Sequence, residues 1–141
     1  VKRLLIAILS CTLPAMATAQ DKLIMSIDLV RHGDRTSVCT IPKDKNSDNE
    51  KLGELTKEGK QESIELGKTL RQTYINQYHL LSNQYEPETV YVRSTDRART
   101  IMTAKAISNG LYSGAKVNVD TMTANEDNLL IAKPDSHISA I

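Results

Sequence analysis

Apolar and polar positions alternate along this chain in a way that separates strand-like runs from one clearly amphipathic helix. Leu23 to Val30 (L-I-M-S-I-D-L-V) is rich in Leu, Ile and Val and predicts a strand buried on both faces, as in a parallel sheet. Pro42 to Glu50 is polar and charged and reads as a surface loop. Thr56 then caps a predicted helix, with Glu58 in its electropositive first turn. At helical spacing Gly59, Ser63, Leu66, Gly67, Leu70 and Tyr74 share one face, while Lys57, Gln61, Glu62, Glu65, Lys68 and Gln72 fall elsewhere. The small residues of that stripe suit close packing of the helix on a sheet. Residues 76–87, with His79 and Pro87, read as a helix end and connector, His79 being structural or exposed. Glu88 to Val92 predicts a second strand, after which Ser94 or Thr95 caps a helix running roughly to Asn109 with Gly110 as its stop. Lys116 to Asp120 reads as a third strand. Strand, helix, strand in this order implies a right-handed parallel βαβ unit.

Residues 1–19 stand apart from that pattern. Lys2 and Arg3 form a basic start, Leu4 to Leu13 an apolar stretch, and Ala17-Thr18-Ala19 a small-residue cleavage site. This is the layout of a secretory signal peptide cleaved after Ala19, and the stretch is too short for a membrane span. A rival reading makes Cys11 a lipoprotein anchor. Residues 20–141 then form one domain, and the expected location is periplasmic or secreted. Losing Lys2 and Arg3 takes a chain of 18 Lys+Arg and 17 Asp+Glu from a net +1 to −1, which gives no sign of a nucleic-acid or membrane-surface partner. With no Trp or Phe and five Tyr, the core must rest on Leu, Ile, Val, Met and Ala. Cys39 is the lone cysteine after the leader, and no Cys and His spacing of zinc type occurs, so no metal site is inferred.

The chemistry is concentrated where the first apolar run ends, in Arg31-His32-Gly33-Asp34-Arg35. Open α/β sheets place their ligand sites at the carboxyl ends of strands. Two guanidiniums form a planar, permanently charged clamp for phosphate oxygens, and an imidazole between them is set up as a neutral nucleophile. Gly33 supplies a backbone that turns sharply and approaches a ligand closely.

This stretch resembles the R-H-G-x-R motif of the histidine acid phosphatases, a branch of the histidine phosphatase superfamily. Leu55-Thr56-Lys57-Glu58-Gly59 with Glu65-Leu66-Gly67 is similar to the family's L-T-x-x-G…L-G helix, and Val92 to Ala104 (V-R-S-T-D-R-A-R-T-I-M-T-A) resembles its second landmark. Asn125 to Pro134 is similar, more weakly, to its D-x-L-L segment. The resemblance spans roughly residues 21–134. It implies a three-layer α/β sandwich around a largely parallel sheet of the phosphoglycerate mutase-like type, incomplete at the carboxyl end. It implies His32 as a nucleophile that becomes a transient phosphohistidine, Arg31, Arg35 and Arg93 as phosphate ligands, and a small phosphate monoester as substrate without a cofactor. Arg97 and Arg99 are read as helix-surface charges, and Asp34 is left unassigned. Where the family usually has proline, this chain has Ser37. The family's His-Asp pair, whose aspartate protonates the departing alcohol, has no counterpart, since His137 is followed by Ile138. A general acid typically contributes about 10²–10⁴-fold. The expected function is therefore an acid phosphatase, the alternative being a catalytically weak phosphate-binding remnant.

Overall fold

A computed structural model describes residues 22–39 and 51–131. The expected leader, most of the polar loop and His137 lie outside the described residues. The described elements are α1 (Lys57–Arg71), extended by a π-helical turn at Gln72–Gln77, then β1 (Arg93–Thr95), α2 (Ala98–Leu111) and β2 (Asp120–Met122). β1 and β2 pair in parallel, with Arg93 opposite Asp120, Ser94 opposite Thr121 and Thr95 opposite Met122. The crossover between them carries α2, so the fold is α/β, as the residue pattern predicts. Among the described residues no helix is long and apolar enough to cross a membrane.

α1 begins where the sequence places it. The Thr56 hydroxyl accepts from the Gly59 N–H at 3.0 Å, Glu58 lies in the first turn, and Lys68 and Arg71 lie in the last. Past Arg71 the helix widens into the π turn, which Tyr78 closes by donating its N–H to the Thr73 carbonyl at 2.9 Å. That turn buries Ile75 beside Leu111 and Tyr112, and Leu70, Leu81, Tyr85, Val90, Ala115 and Val117 pack around them. The Tyr85 and Tyr112 rings meet at a tilt, 5.6 Å between centroids.

The small-residue stripe of α1 packs on α2 and on the loop before α1, where a sheet was expected. A Cβ on Gly67 would strike the Ile107 carbonyl and lie 2.9 Å from the Gly110 Cα; a Cβ on Gly110 would strike the Ile64 carbonyl. The two helix backbones therefore touch. Gly110 accordingly sits inside α2 and does not stop it, and the left-handed turn falls to Gly114 at φ 80°. Leu66, expected on the packed face, is exposed.

Three strand expectations are corrected. Glu88 and Thr89 are consumed by a turn after Pro87, in which the Thr89 N–H donates to the Glu86 carbonyl, so β1 starts at Arg93. The third strand forms later, at Asp120–Met122. Leu23 to Val30 forms no strand among the described residues, and Ile24, Ile27 and Leu29 are more than four-fifths exposed. A run of this composition is buried only where other layers cover both faces of its sheet. What holds it is polar: Ser26 Oγ lies 2.7 Å from the Tyr74 hydroxyl, which donates to Asp28 Oδ1 at 2.9 Å.

The helix contact makes a direct prediction. Gly67→Ala forces a methyl into backbone and should cost about 1–3 kcal/mol, as overpacking does. Gly114→Ala, with nothing within 4 Å of the new methyl, should cost less, about 1–2 kcal/mol for the left-handed backbone alone. Urea unfolding midpoints of the two variants check the order.

Candidate active site

The loop from Arg31 to Ser37 is held by both helices. A Cβ on Gly33 would lie 2.6 Å from the Gly59 carbonyl and 2.9 Å from Ser63 Oγ, and a Cβ on Gly59 would strike the Asp34 backbone. Loop and first turn of α1 thus lie backbone on backbone. From α2, Thr103 accepts the Gly33 N–H at 3.1 Å and donates its hydroxyl proton to the Arg99 carbonyl at 2.8 Å. The Thr56 N–H donates to the Asp34 carbonyl at 3.0 Å, and the Thr56 hydroxyl to Asp34 Oδ2 at 3.0 Å. Asp34 is therefore tied to the cap of α1. Arg35 bridges Leu55 in antiparallel fashion, flanked by Thr36 N–H to Glu54 carbonyl at 2.9 Å and Gly53 N–H to Ser37 carbonyl at 2.8 Å. Ser37, in the position of the family's proline, closes its own turn by donating its hydroxyl to the Cys39 carbonyl at 2.7 Å.

Against this scaffold opens a cleft of about 450 Å³, lined by Arg31, His32, Gly33, Asp34, Arg35, Thr36, Ser37 and Glu62. His32 Nδ1 lies 2.8 Å from the Gly33 carbonyl. A carbonyl can only accept, so Nδ1 carries the proton and the neutral ring keeps its lone pair on Nε2. Arg35 donates from Nη1 to the Thr36 carbonyl at 3.0 Å, which fixes its guanidinium beside the loop. Arg31 is exposed. Three of the four sequence-predicted site residues, Arg31, His32 and Arg35, thus share one cleft.

Arg93 does not join them. It lies in β1, and its Nη2 donates to Asp127 Oδ1 at 2.7 Å, with Met122 Sδ at 3.1 Å. Asp127 is fully buried and also accepts the N–H groups of Leu129 at 3.1 Å and Leu130 at 2.9 Å. The Leu130 N–H, followed by the Leu129 N–H and the Arg93 guanidinium, holds this carboxyl below its ordinary range against the opposing effect of burial. The pair anchors the segment after β2 to β1.

The residue that sequence reading set on the helix surface is Arg99, and that placement is corrected. Arg97 is exposed, whereas Arg99 is half-buried with Nε buried and unpartnered among the described residues. The signal lay in the spacing Arg99, Thr103, Ala106, Gly110, one helical face whose last three members are buried. Thr103 on that face holds the 31–37 loop through the Gly33 N–H. His79 is exposed, its Nδ1 3.0 Å from the Ile75 carbonyl, and Cys39 is exposed and free. Among the described residues no group of three or more His, Cys, Asp or Glu side chains could hold a metal.

Comparisons with known proteins converge on one family. The family model described as histidine phosphatase superfamily (branch 2) matches residues 22–138. Human lysosomal acid phosphatase is 41% identical over 117 residues, covering 72% of this chain and 27% of that protein. Human testicular acid phosphatase is 34% identical over 142 residues, covering 89% of this chain and 33% of that protein. The chain therefore spans about a quarter to a third of the length of such relatives. Among solved structures, the Klebsiella sp. ASR1 phytase aligns at TM-score 0.60 and 26% identity over 68% of this chain and 26% of that one. The Citrobacter braakii phytase aligns at TM-score 0.58 and 27% identity over 64% of this chain and 25% of that one.

The Asp127 anchor carries a pH signature. A carboxyl whose folded pKa is depressed adds stability above its unfolded pKa, and that stability is lost as pH falls through the folded value. The wild-type chain should be more stable than Asp127→Asn at neutral pH, with the gap closing below about pH 4. Urea midpoints of both proteins across that range check it.

Proposed function

Because the chain belongs to branch 2 of the histidine phosphatase superfamily, we propose that its cleft binds the phosphoryl group of a phosphate monoester and transfers it to His32. The observation that carries this reading is the Nδ1–H donated to the Gly33 carbonyl, which leaves a free Nε2 in a cleft shared with Arg31 and Arg35. Nε2 attacks phosphorus, the P–N bond forms as the ester P–O bond breaks, and the alcohol departs with a proton taken from solvent water, which regains one when water attacks in the second step. Water then attacks the phosphohistidine, the P–N bond breaks, and inorganic phosphate leaves. The guanidiniums neutralise charge on the transferring group.

Arg99 is the third cation of this site in our reading. It shares a helical face with Thr103, which holds Gly33 next to the nucleophile, and its buried Nε, like that of Arg93, lacks a partner among the described residues. Arg93 instead keeps Asp127 in place. The leader at residues 1–19 supports action outside the cytoplasm. The lysosomal acid phosphatase named above is compatible with such a compartment.

Two experiments test these assignments. Mixing the chain with labelled p-nitrophenyl phosphate and quenching in alkali should trap label on His32, and His32→Ala should abolish it. Nitrophenolate needs little protonation to leave, so the result does not depend on a general acid. Label that persists in His32→Ala contradicts the nucleophile. Separately, Arg99→Ala should weaken phosphate binding about 10- to 100-fold, the worth of a charge-assisted hydrogen bond, while Arg93→Ala should mainly lower the unfolding midpoint. The reverse pattern, read by calorimetric titration, would return the ligand role to Arg93.

A further inference from the structure

The cleft contains a charge that phosphoryl transfer does not use. Glu62, from the second turn of α1, is the one lining residue outside the 31–37 loop. It is exposed and has no hydrogen-bond or ion-pair partner among the described residues. The other lining carboxylate, Asp34, is different, since the Thr56 hydroxyl at the amino end of α1 holds it at 3.0 Å. A phosphoryl dianion bound between Arg31 and Arg35, which line the cleft, with Arg99 as the third cation, occupies the positive charges of the site. What the rest of the substrate then meets on the α1 side is the free carboxylate of Glu62.

Resting on the phosphomonoesterase reading above, we infer that Glu62 selects the alcohol part of the substrate. It favours a leaving group that is cationic or rich in hydroxyls and disfavours one that bears a second phosphate. A carboxylate accepts hydrogen bonds from hydroxyl and ammonium groups and donates none. Toward a second phosphate it offers only repulsion, and a misplaced like charge is a recognised way of building specificity against a competitor. Because Glu62 is exposed, the effect is moderate. A unit charge about 7 Å away in water changes affinity by about threefold, and added salt reduces the change. Gly59 and Ser63, which flank Glu62 on α1, lie against the nucleophile loop, so the carboxylate is held on a rigid element beside the site.

The test compares ligands within one protein, so the strength of the phosphate site cancels. Dissociation constants for inorganic phosphate, phosphocholine, glucose 6-phosphate and glucose 1,6-bisphosphate are measured by calorimetric titration of the full chain, with Glu62→Gln and Glu62→Lys alongside. In the Gln variant the ratio of bisphosphate to monophosphate affinity should rise about two- to fivefold, and the preference for phosphocholine over glucose 6-phosphate should fall by a similar factor. The Lys variant should move both ratios further, and raising the salt should shrink every shift. Ratios that stay constant across the three proteins, while inorganic phosphate still binds, overturn the role of Glu62 and leave the phosphate site standing. Failure of inorganic phosphate to bind the wild-type chain overturns the phosphate site and the selectivity built on it together.

Discussion

Backbone lying directly on backbone is the constraint on which the rest of this structure depends. Gly33 rests on Gly59, and Gly67 rests on Gly110, with no room for a Cβ at any of the four. α1 takes part in both contacts, so a single helix fixes the His32 loop and α2 relative to each other. Thr103 closes the triangle by accepting the Gly33 N–H from the α2 side. A nucleophile must be held to a fraction of an ångström and a few tens of degrees to be productive. Here that precision comes from peptide groups, which have few ways to relax. The π-helical turn and the Ile75, Leu111 and Tyr112 cluster brace the far ends of the same two helices.

The arginines divide by what surrounds them. Arg31 and Arg35 flank His32 on a loop open to solvent, and Arg35 is steadied by a carbonyl that leaves its charge uncancelled. Arg93 has a carboxylate partner at 2.7 Å, and the same oxygen of that carboxylate also accepts two backbone N–H groups. That pair ties the segment after β2 to β1, and Arg93 Nε, like Arg99 Nε, is buried without a partner among the described residues. Arg99 has a half-buried side chain, an unpartnered Nε and a place on the helix face that reaches the loop. The exposed carboxylate of Glu62 puts a negative charge on the α1 side of the same cleft.

The features legible from sequence are those whose causes are local. Thr56 capping a helix with Glu58 in its first turn needs only four residues, and it formed as read. The Arg31-His32-Gly33-Asp34-Arg35 turn likewise carries its own chemistry, and its members line the cleft. Where the cause is distant, the reading slipped. Gly110 near the end of a periodic run looks the same whether it stops a helix or admits a neighbouring backbone, and only the position of Gly67 decides. Leu23 to Val30 has the composition of a buried strand, but burial depends on layers over both faces of a sheet, which local residues do not specify. Arg99 is hard to aim from sequence because helix start and helix face are both needed, and the cap is Arg97 where Ser94 or Thr95 is expected.

The central claim is that the clamped loop presents His32 with its proton on Nδ1 and a free lone pair on Nε2. The most direct measurement is the nitrogen-15 spectrum of the His32 ring, recorded at a pH where the ring is neutral and repeated in Thr103→Val. The account predicts an Nδ1–H tautomer in the wild-type chain, with that tautomer losing population once the Gly33 anchor is removed. A ring protonated on Nε2 in the wild-type chain would contradict it, because the nitrogen assigned to attack phosphorus would then have no lone pair to offer.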